Sequence, residues 1–167
     1  MTISQVETTP RRPLSASLLR DPVHLFALGF GSGLAPVAPG TFGSVVGVVF
    51  ALALVPLGFT SAALVTLIAT AAGLWICGES ARRLGVHDHP GIVWDEITGM
   101  MIAMLAAPLN WWGVLCAFAL FRLFDIWKPW PIREVDHGMP GGAGIMLDDV
   151  MAGIFAAIVL LLLRYAN

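Results

Sequence analysis

Residues 144–167 read GIMLDDVMAGIFAAIVLLLLRYAN, an apolar run directly preceded by two adjacent carboxylates, Asp148 and Asp149. The run from Val150 to Leu163 has no charged residue. If it starts near Ile145, it approaches the roughly 20 residues that span a bilayer as a helix. Arg164 at its end can extend its charge outward to the polar interface. The stretch therefore predicts a membrane helix with two acids at its entrance.

The composition of the whole chain is that of an integral membrane protein. Hydrophobic residues make up 57% of the 167 residues and charged residues 12%, which is far from the mixture found in soluble domains. The net charge is −2 and there is no basic block, which argues against nucleic acid as a partner. Cys77 and Cys116 both lie in apolar stretches, so neither a disulfide framework nor a cysteine zinc site is predicted.

Two apolar stretches earlier in the chain predict a helical hairpin. They run from Val45 to Phe59 and from Ala62 to Cys77, and a minimal turn at Gly58–Ser61 joins them. With the small residues at their edges, both approach the length needed to cross a bilayer. A hairpin places the segments at its open ends, 36–44 and 79–96, on the same side of the membrane.

The third apolar region, Ile97–Phe121, contains an interruption. Proline, asparagine and paired tryptophans at 108–112 indicate the water interface or a helix break. The region is either a single span or two short half-helices that enter and leave on one face. The predicted fold is thus an all-α, multi-pass membrane protein with about three to four apolar helices, one of them broken or re-entrant.

The N-terminal segment differs from the rest of the chain. It has no continuous apolar core, so a cleavable signal peptide is not expected. Asp21-Pro22 predicts a helix start, with an acceptor at the cap and proline at the first helical position. We predict an N-terminal cytoplasmic tail over 1–24 and a single membrane-embedded domain over 25–167. Arginines favour the cytoplasmic side for this tail and for the segment after the hairpin: Arg11, Arg12, Arg20, Arg82 and Arg83.

Charged side chains concentrate in two patches, 78–96 and 121–149. Carboxylates next to apolar sequence must be paired, hydrated or bound to a metal, and the chain has too few lysines and arginines to pair them all and also bind a substrate. Clustered oxygen ligands favour Mg²⁺ over zinc, since no cysteine is available and only His87 and His89 lie close in sequence. Five carboxylates meet this description: Asp95, Glu96, Asp125, Asp148 and Asp149.

A shared metal site would constrain the topology. Asp95 and Glu96 precede the third apolar region, and the other three acids follow it. If the region crossed the membrane once, the two groups would lie about 30 Å apart. A shared site therefore predicts that Ile97–Phe121 returns to its starting face, with a bend near Pro108–Trp112 and non-helical backbone shielded by protein. The alternative is that one group of acids lies deep in the membrane beside a polar cavity.

Cations and hydroxyl groups near the acids are candidate phosphate ligands. Arg122 and Asp125 share a helix face, so a plain salt bridge is the alternative for that arginine. The start of a membrane helix near residue 41 favours an anion, although simple helix capping is the alternative there. Glycines at 141–144 would leave backbone amides available just ahead of the paired aspartates. The candidate phosphate ligands are Thr41, Ser44, Arg122, Lys128 and Arg133.

Several long blocks, taken in order, resemble the phosphatidylglycerophosphatase A family. They are GFGSGLAPVAPGTFGS (29–44), GVHDHPGIVWDEITGM (85–100), FRLFDIWKPWPIREVD (121–136) and GGAGIMLDDVMAG (141–153). The resemblance runs from about Leu25 to the last helix. It implies a Mg²⁺-dependent phosphatase of the bacterial inner membrane that converts phosphatidylglycerophosphate to phosphatidylglycerol, with its site facing the cytoplasm. By position, it implies metal-binding acids at Asp95, Glu96, Asp125, Asp148 and Asp149, and phosphate contacts at Thr41, Ser44, Arg122 and Lys128.

The hypothesis that follows is hydrolysis of a phosphate monoester beside a metal ion. Mg²⁺ would be held by some of Glu96, Asp125, Asp148 and Asp149, and a remaining carboxylate or His89 would accept a proton from water. The catalytic set is therefore Asp95, Glu96, Asp125, Asp149 and His89. The sequence pattern does not determine the oligomeric state.

Two other functions would also use acids near a membrane. A lipid head-group transferase would carry a longer acidic signature, D-G-x-x-A-R with two further aspartates, which this chain lacks. A divalent-cation transporter fits the intramembrane acids, but the arginines and lysine of 122–133 would repel its cargo.

Overall fold

The computed structural model describes residues 14–86, 89–134 and 141–166. The first 13 residues of the predicted tail, His87, and the end of the third sequence block lie outside the described residues. Six α-helices lie wholly within the described residues, which contain no strand, and residues 132–134 are also helical. The helices are α1 (Pro22–Ala27), α2 (Pro39–Leu54), α3 (Phe59–Leu84), α4 (Trp94–Met104), α5 (Trp111–Trp127) and α6 (Gly142–Ala166).

Local signals in the sequence account for several helix ends. The Asp21 side chain caps α1 by accepting a hydrogen bond from the amide of Val23, with Pro22 at the first helical position, as predicted. Asn110 caps α5 in the same way, through the amide of Gly113 at 2.8 Å. Gly85 ends α3 in a left-handed conformation, with φ of 69°, which glycine adopts without steric cost.

Within the described residues, three helices are long and apolar enough to cross a membrane, namely Pro39–Leu57 (α2 with the short 3₁₀ turn after it), α3 and α6. α2 and α3 form the predicted hairpin around Gly58. Side chains on their outer faces are exposed, as expected where lipid replaces water as the surrounding medium. The prediction of an all-α, multi-pass membrane fold is confirmed.

The third apolar region is split into two helices, as the shared-site argument required. α4 ends at Met104, non-helical backbone follows at 105–110, and α5 runs back toward the end of the bundle where α4 began. Ala106 and Ala107 in the connection are 8% exposed, so neighbouring helices shield part of the non-helical backbone. α4 is too short to cross a bilayer by itself, and it lies at the centre of the bundle with nine of its 11 residues buried.

Glycines allow the neighbouring helices to approach α4 closely. A Cβ on Gly153 of α6 would lie 2.4 Å from the carbonyl oxygen of Gly99 in α4, and one on Gly47 of α2 would lie 2.6 Å from that of Ile97. Such contacts are incompatible with any side chain, so the small residues determine the crossing of these helices. The crossing matters for function because Gly99 also lies against the backbone of Asp149.

Replacing Gly153 with leucine is expected to lower the stability of the folded protein by at least about 1–3 kcal/mol, because the new side chain must force α4 and α6 apart. Thermal unfolding in detergent, followed by intrinsic fluorescence, measures the effect. The matched control is Ile154→Leu on the neighbouring residue, which is 43% exposed. Equal melting temperatures for the two variants would contradict a tight crossing at Gly153.

Candidate active site

Three carboxylates from distant parts of the chain meet at one end of the bundle. Asp95 and Glu96 lie in the first turn of α4, and Asp149 lies near the start of α6. One oxygen from each lies within 4.8 Å of the others. Asp95 and Asp149 are 8% and 3% exposed. The arrangement is that of a small, mostly buried oxygen cluster, as a hard divalent cation requires.

The adjacent acids Asp148 and Asp149 have different partners. Successive residues on a helix point about 100° apart, so the two side chains leave α6 in different directions. Asp149 joins the carboxylate cluster, whereas Asp148 forms an ion pair with Lys128 Nζ at 2.7 Å. Lys128 ends α5 with a positive φ of 45°, a strained conformation for a non-glycine residue that directs the chain into the following turn.

Arg122 and Asp125 form a second charged pair beside the cluster. They are three residues apart on α5 and make a salt bridge, the alternative that the sequence left open. Arg122 also donates from Nη1 to Ser44 Oγ at 3.4 Å, which ties α5 to α2. Asp125 lies close enough to Asp149 for their charges to interact. The acids on either side of the third apolar region are thus together at one site.

The start of α2 forms one wall of the site. A Cβ on Gly40 would lie 2.2 Å from Glu96 Oε1 and 3.2 Å from Arg122 Nη1, so only glycine allows this close approach. Ala38, just before the helix, has a positive φ of 50°. The first turn of α2 is therefore held against the acid and the arginine together, and its dipole favours an anion there. Gly40 was not among the predicted site residues, although the PGT sequence at a helix start was a usable signal.

Electrostatics in the cluster favour a bound cation. Burial raises the pKa of Glu96 to about 8, and the charges of Asp149 and Asp125 act in the same direction. Buried Glu96 Oε2 and Asp149 Oδ1 accept no hydrogen bond from the described residues. Buried like charges at this separation need either a proton or a metal ion to offset them. The donor set, three carboxylates without sulfur or imidazole, fits a hard ion such as Mg²⁺.

The remaining predicted residues have varied positions. Ser44 is fully buried and its hydroxyl donates to the carbonyl of Gly40 at 2.8 Å, while Thr41 is half-buried one turn earlier. His89 accepts a hydrogen bond from the amide of Gly91 in the loop before α4, outside the three-carboxylate group. Arg133 is exposed after α5, and no ion pair joins it to another described residue.

The glycines at 141–144 have a packing role. Gly142 and Gly144 are buried in α6, and a Cβ on Gly142 would lie 1.9 Å from the carbonyl oxygen of Leu74 in α3. The interpretation of this cluster as exposed amides for an anion is therefore wrong at Gly142 and Gly144. The small size of Gly142 allows close contact between α6 and α3.

Comparison with known proteins gives consistent matches. Residues 25–164 match the family model described as phosphatidylglycerophosphatase A. The chain is 45% identical over 140 residues to phosphatidylglycerophosphatase A of Escherichia coli (strain K12), covering 83% of this chain and 81% of that protein. It is also 45% identical over 159 residues to the protein of that name from Haemophilus influenzae, covering 94% and 98%.

A third relative carries a different name. A putative phosphatidylinositol-3-phosphatase of Bacteroides thetaiotaomicron is 41% identical over 150 residues, covering 84% of this chain and 92% of that protein. No solved structure matches.

Proposed function

The chain belongs to the phosphatidylglycerophosphatase A family, and from this membership we propose that it hydrolyses the terminal phosphate of phosphatidylglycerophosphate. It is a membrane phosphatase, and the proposed products are phosphatidylglycerol and inorganic phosphate. The observation that carries the proposal is the buried group of Asp95, Glu96 and Asp149 next to Arg122. Hydrolysis of a phosphate monoester needs acidic side chains that hold a metal ion next to a cationic side chain that binds the phosphate.

The metal of the proposal is Mg²⁺, held by Asp95, Glu96 and Asp149. Asp125 and Asp148 lie next to this group and are the further candidates from the sequence, but each also has a cationic partner in the structure. When bound, the ion would supply positive charge for the phosphate oxygens and make an attacking water more acidic.

Arg122 is the proposed main phosphate ligand from the protein. Its guanidinium is held from two sides by Asp125 and Ser44, and its buried Nε has no hydrogen-bond partner among the described residues. Held in this way, the guanidinium loses little entropy on binding, and its planar fork matches phosphate oxygens. Lys128 is a second, point-like cation, which Asp148 orients.

In the proposed reaction, water adds to phosphorus and the bond from phosphorus to the glycerol oxygen breaks. A carboxylate of the cluster accepts a proton of the water and returns it to the glycerol oxygen as that oxygen leaves, so the products are the alcohol and inorganic phosphate. We favour a carboxylate over His89 because His89 lies outside the three-carboxylate group. Burial of the cluster strengthens each of these electrostatic contributions.

We place the protein in the bacterial inner membrane with the site on the cytoplasmic face. The site lies at the end of the bundle where α3 ends with Arg82 and Arg83. Arginines at helix ends favour the cytoplasmic side. The lipid substrate would then present its phosphate to the site from the cytoplasmic leaflet.

The test is phosphate release by the purified protein from phosphatidylglycerophosphate in mixed micelles. We expect release with Mg²⁺, loss of release after chelation, and recovery when Mg²⁺ is added back. Ca²⁺ is the matched control, since its larger size and flexible coordination suit a small cluster less well. Full activity after exhaustive chelation would refute the proposed role of Mg²⁺ and leave the proposed hydrolysis in place.

A second candidate substrate follows from the third relative. Phosphatidylinositol 3-phosphate also carries a phosphate monoester on a lipid head group, so the same cluster could act on it. Parallel assays with the two lipids at equal surface concentration decide between them. A higher kcat/KM for the inositol lipid would replace the proposed substrate and leave the proposed mechanism in place.

A further inference from the structure

A cavity of about 610 Å³ lies at the end of the bundle away from the carboxylates. It is formed where the α2–α3 turn, the end of α4 and the end of α6 come together, and its walls include Leu54, Phe59, Met104, Pro108 and Arg164. Its volume is within the range of about 300–1,000 Å³ that is usual for ligand sites. None of the residues assigned above to the reaction lines it.

The cavity lies at the opposite membrane interface from the active site. Arg164 follows Asp149 by 15 residues on α6, a distance of about 22 Å along a helix. At the same end, Trp111 and Trp112 stack with ring centroids 3.7 Å apart and are each 62% exposed. Exposed tryptophans mark the level of the lipid head groups. The cavity therefore opens between acyl chains and head groups of the far leaflet.

The cavity lining is apolar except for one hydroxyl and one charged side chain. Its side chains are almost all apolar, and the hydroxyl of Thr66 is satisfied by the carbonyl of Ala62 at 2.8 Å. Arg164 is the one charged group among the described residues that line it. An apolar cavity with a single cation at the interface is complementary to a hydrocarbon chain that ends in an anion.

We propose that this cavity binds an anionic phospholipid of the leaflet opposite the active site. One acyl chain would fill the space between α2, α3 and α4, and the head-group phosphate would lie against Arg164. Because Met101 and Met104 of α4 line the cavity, the bound lipid supports the same short helix whose other end carries Asp95 and Glu96. The proposal does not depend on which lipid phosphate the enzyme hydrolyses.

The experiment measures retained lipid by native mass spectrometry. The delipidated protein is placed in nanodiscs that contain phosphatidylcholine and phosphatidylserine in equal amounts. It is then released from the nanodiscs, and the mass of the protein with its retained lipid is measured. Phosphatidylserine is the anionic probe because it is neither the proposed substrate nor the proposed product. We expect the wild-type protein to retain phosphatidylserine over phosphatidylcholine by about fivefold, the effect of one arginine near an anionic lipid.

Two substitutions separate the head group from the acyl chain. Arg164→Gln should reduce the preference to about onefold while lipid is still retained. Ala62→Leu, which narrows the cavity between α2, α3 and α4, should lower the amount of retained lipid. The matched controls are Arg20→Gln, an exposed cation near the other end of the bundle, and Ala72→Leu, an exposed position on α3 outside the cavity. Both controls should behave like the wild-type protein.

An unchanged preference in Arg164→Gln, or unchanged retention in Ala62→Leu, would overturn the proposal. The proposal would also be overturned if the wild-type protein formed a dimer without bound lipid and Ala62→Leu dissociated that dimer. A second copy of the chain would then be the occupant of the cavity. Arg164→Gln changes an exposed side chain, so its result stands even if Ala62→Leu does not fold.

Discussion

Replacing Asp149 with alanine is expected to lower phosphatase activity by about 100–1,000-fold, the loss typical when one group on which transition-state stabilisation depends is removed. Asp149 is the acid that joins the end of α5 to the start of α4, since it contacts both the Asp95–Glu96 pair and Asp125. Without it, two adjacent carboxylates from one helix turn remain, and a divalent ion bound there would lose its ligand from α6. Phosphate release from the purified variant measures the effect.

The same substitution should leave the fold intact. Removing one negative charge from a buried acidic cluster relieves repulsion, so we expect the melting temperature in the absence of metal to be unchanged or higher. Asp149→Asn keeps the shape and serves as a second variant, and Glu79→Gln, in an exposed ion-pair network at the same end, is the matched control for charge. Binding of Mn²⁺ as a paramagnetic probe should weaken in both Asp149 variants. Full activity in either one would exclude Asp149 from the site.

The main features of the fold were predictable because they follow from local patterns. Apolar run length and the turn at Gly58 predicted the α2–α3 hairpin, and Pro108 with Asn110 predicted the interruption of the third apolar region. The return of that region was predicted by a different kind of argument. Acids on both of its sides can share an ion only if its ends meet, and in the structure Asp125 near the end of α5 lies close enough to Glu96 at the start of α4 for their charges to interact.

Pairings between distant residues were not predictable from the sequence. Which acid faces Lys128 depends on the rotation of α6, and a one-residue turn of about 100° would exchange Asp148 for Asp149. The close approach of Gly40 to Glu96 depends on how α2 crosses α4. At Gly142 the sequence pattern was interpreted as an anion site, whereas the structure shows a packing contact. Exposed amides and tight helix packing both favour glycine, and only the tertiary contact with α3 distinguishes them.

Replacing Arg122 with glutamine is expected to lower kcat/KM by about 100–1,000-fold, because in the proposed mechanism the guanidinium would offset phosphate charge that grows toward the transition state. Lysine should not restore the activity. A single ammonium cannot contact Ser44, Asp125 and a phosphate together as the planar fork can. Kinetics on both variants measure the effect. Arg82→Gln, which removes an arginine with a 72% exposed side chain at the same end, is the matched control and should stay within about threefold of wild type.

Chemical rescue separates a phosphate contact from a purely structural role for Arg122. In an Arg122→Ala variant, added guanidinium ion can occupy the space between Ser44 and Asp125 and restore part of the activity if the charge itself acts on the substrate. If Arg122 only holds α5 against α2, the free ion cannot replace that covalent tie, and no rescue should occur at any concentration. Partial recovery that saturates with guanidinium, and does not appear with ammonium, would assign the phosphate contact to this arginine. A variant with low activity and no rescue would leave Lys128 as the cation that contacts the phosphate.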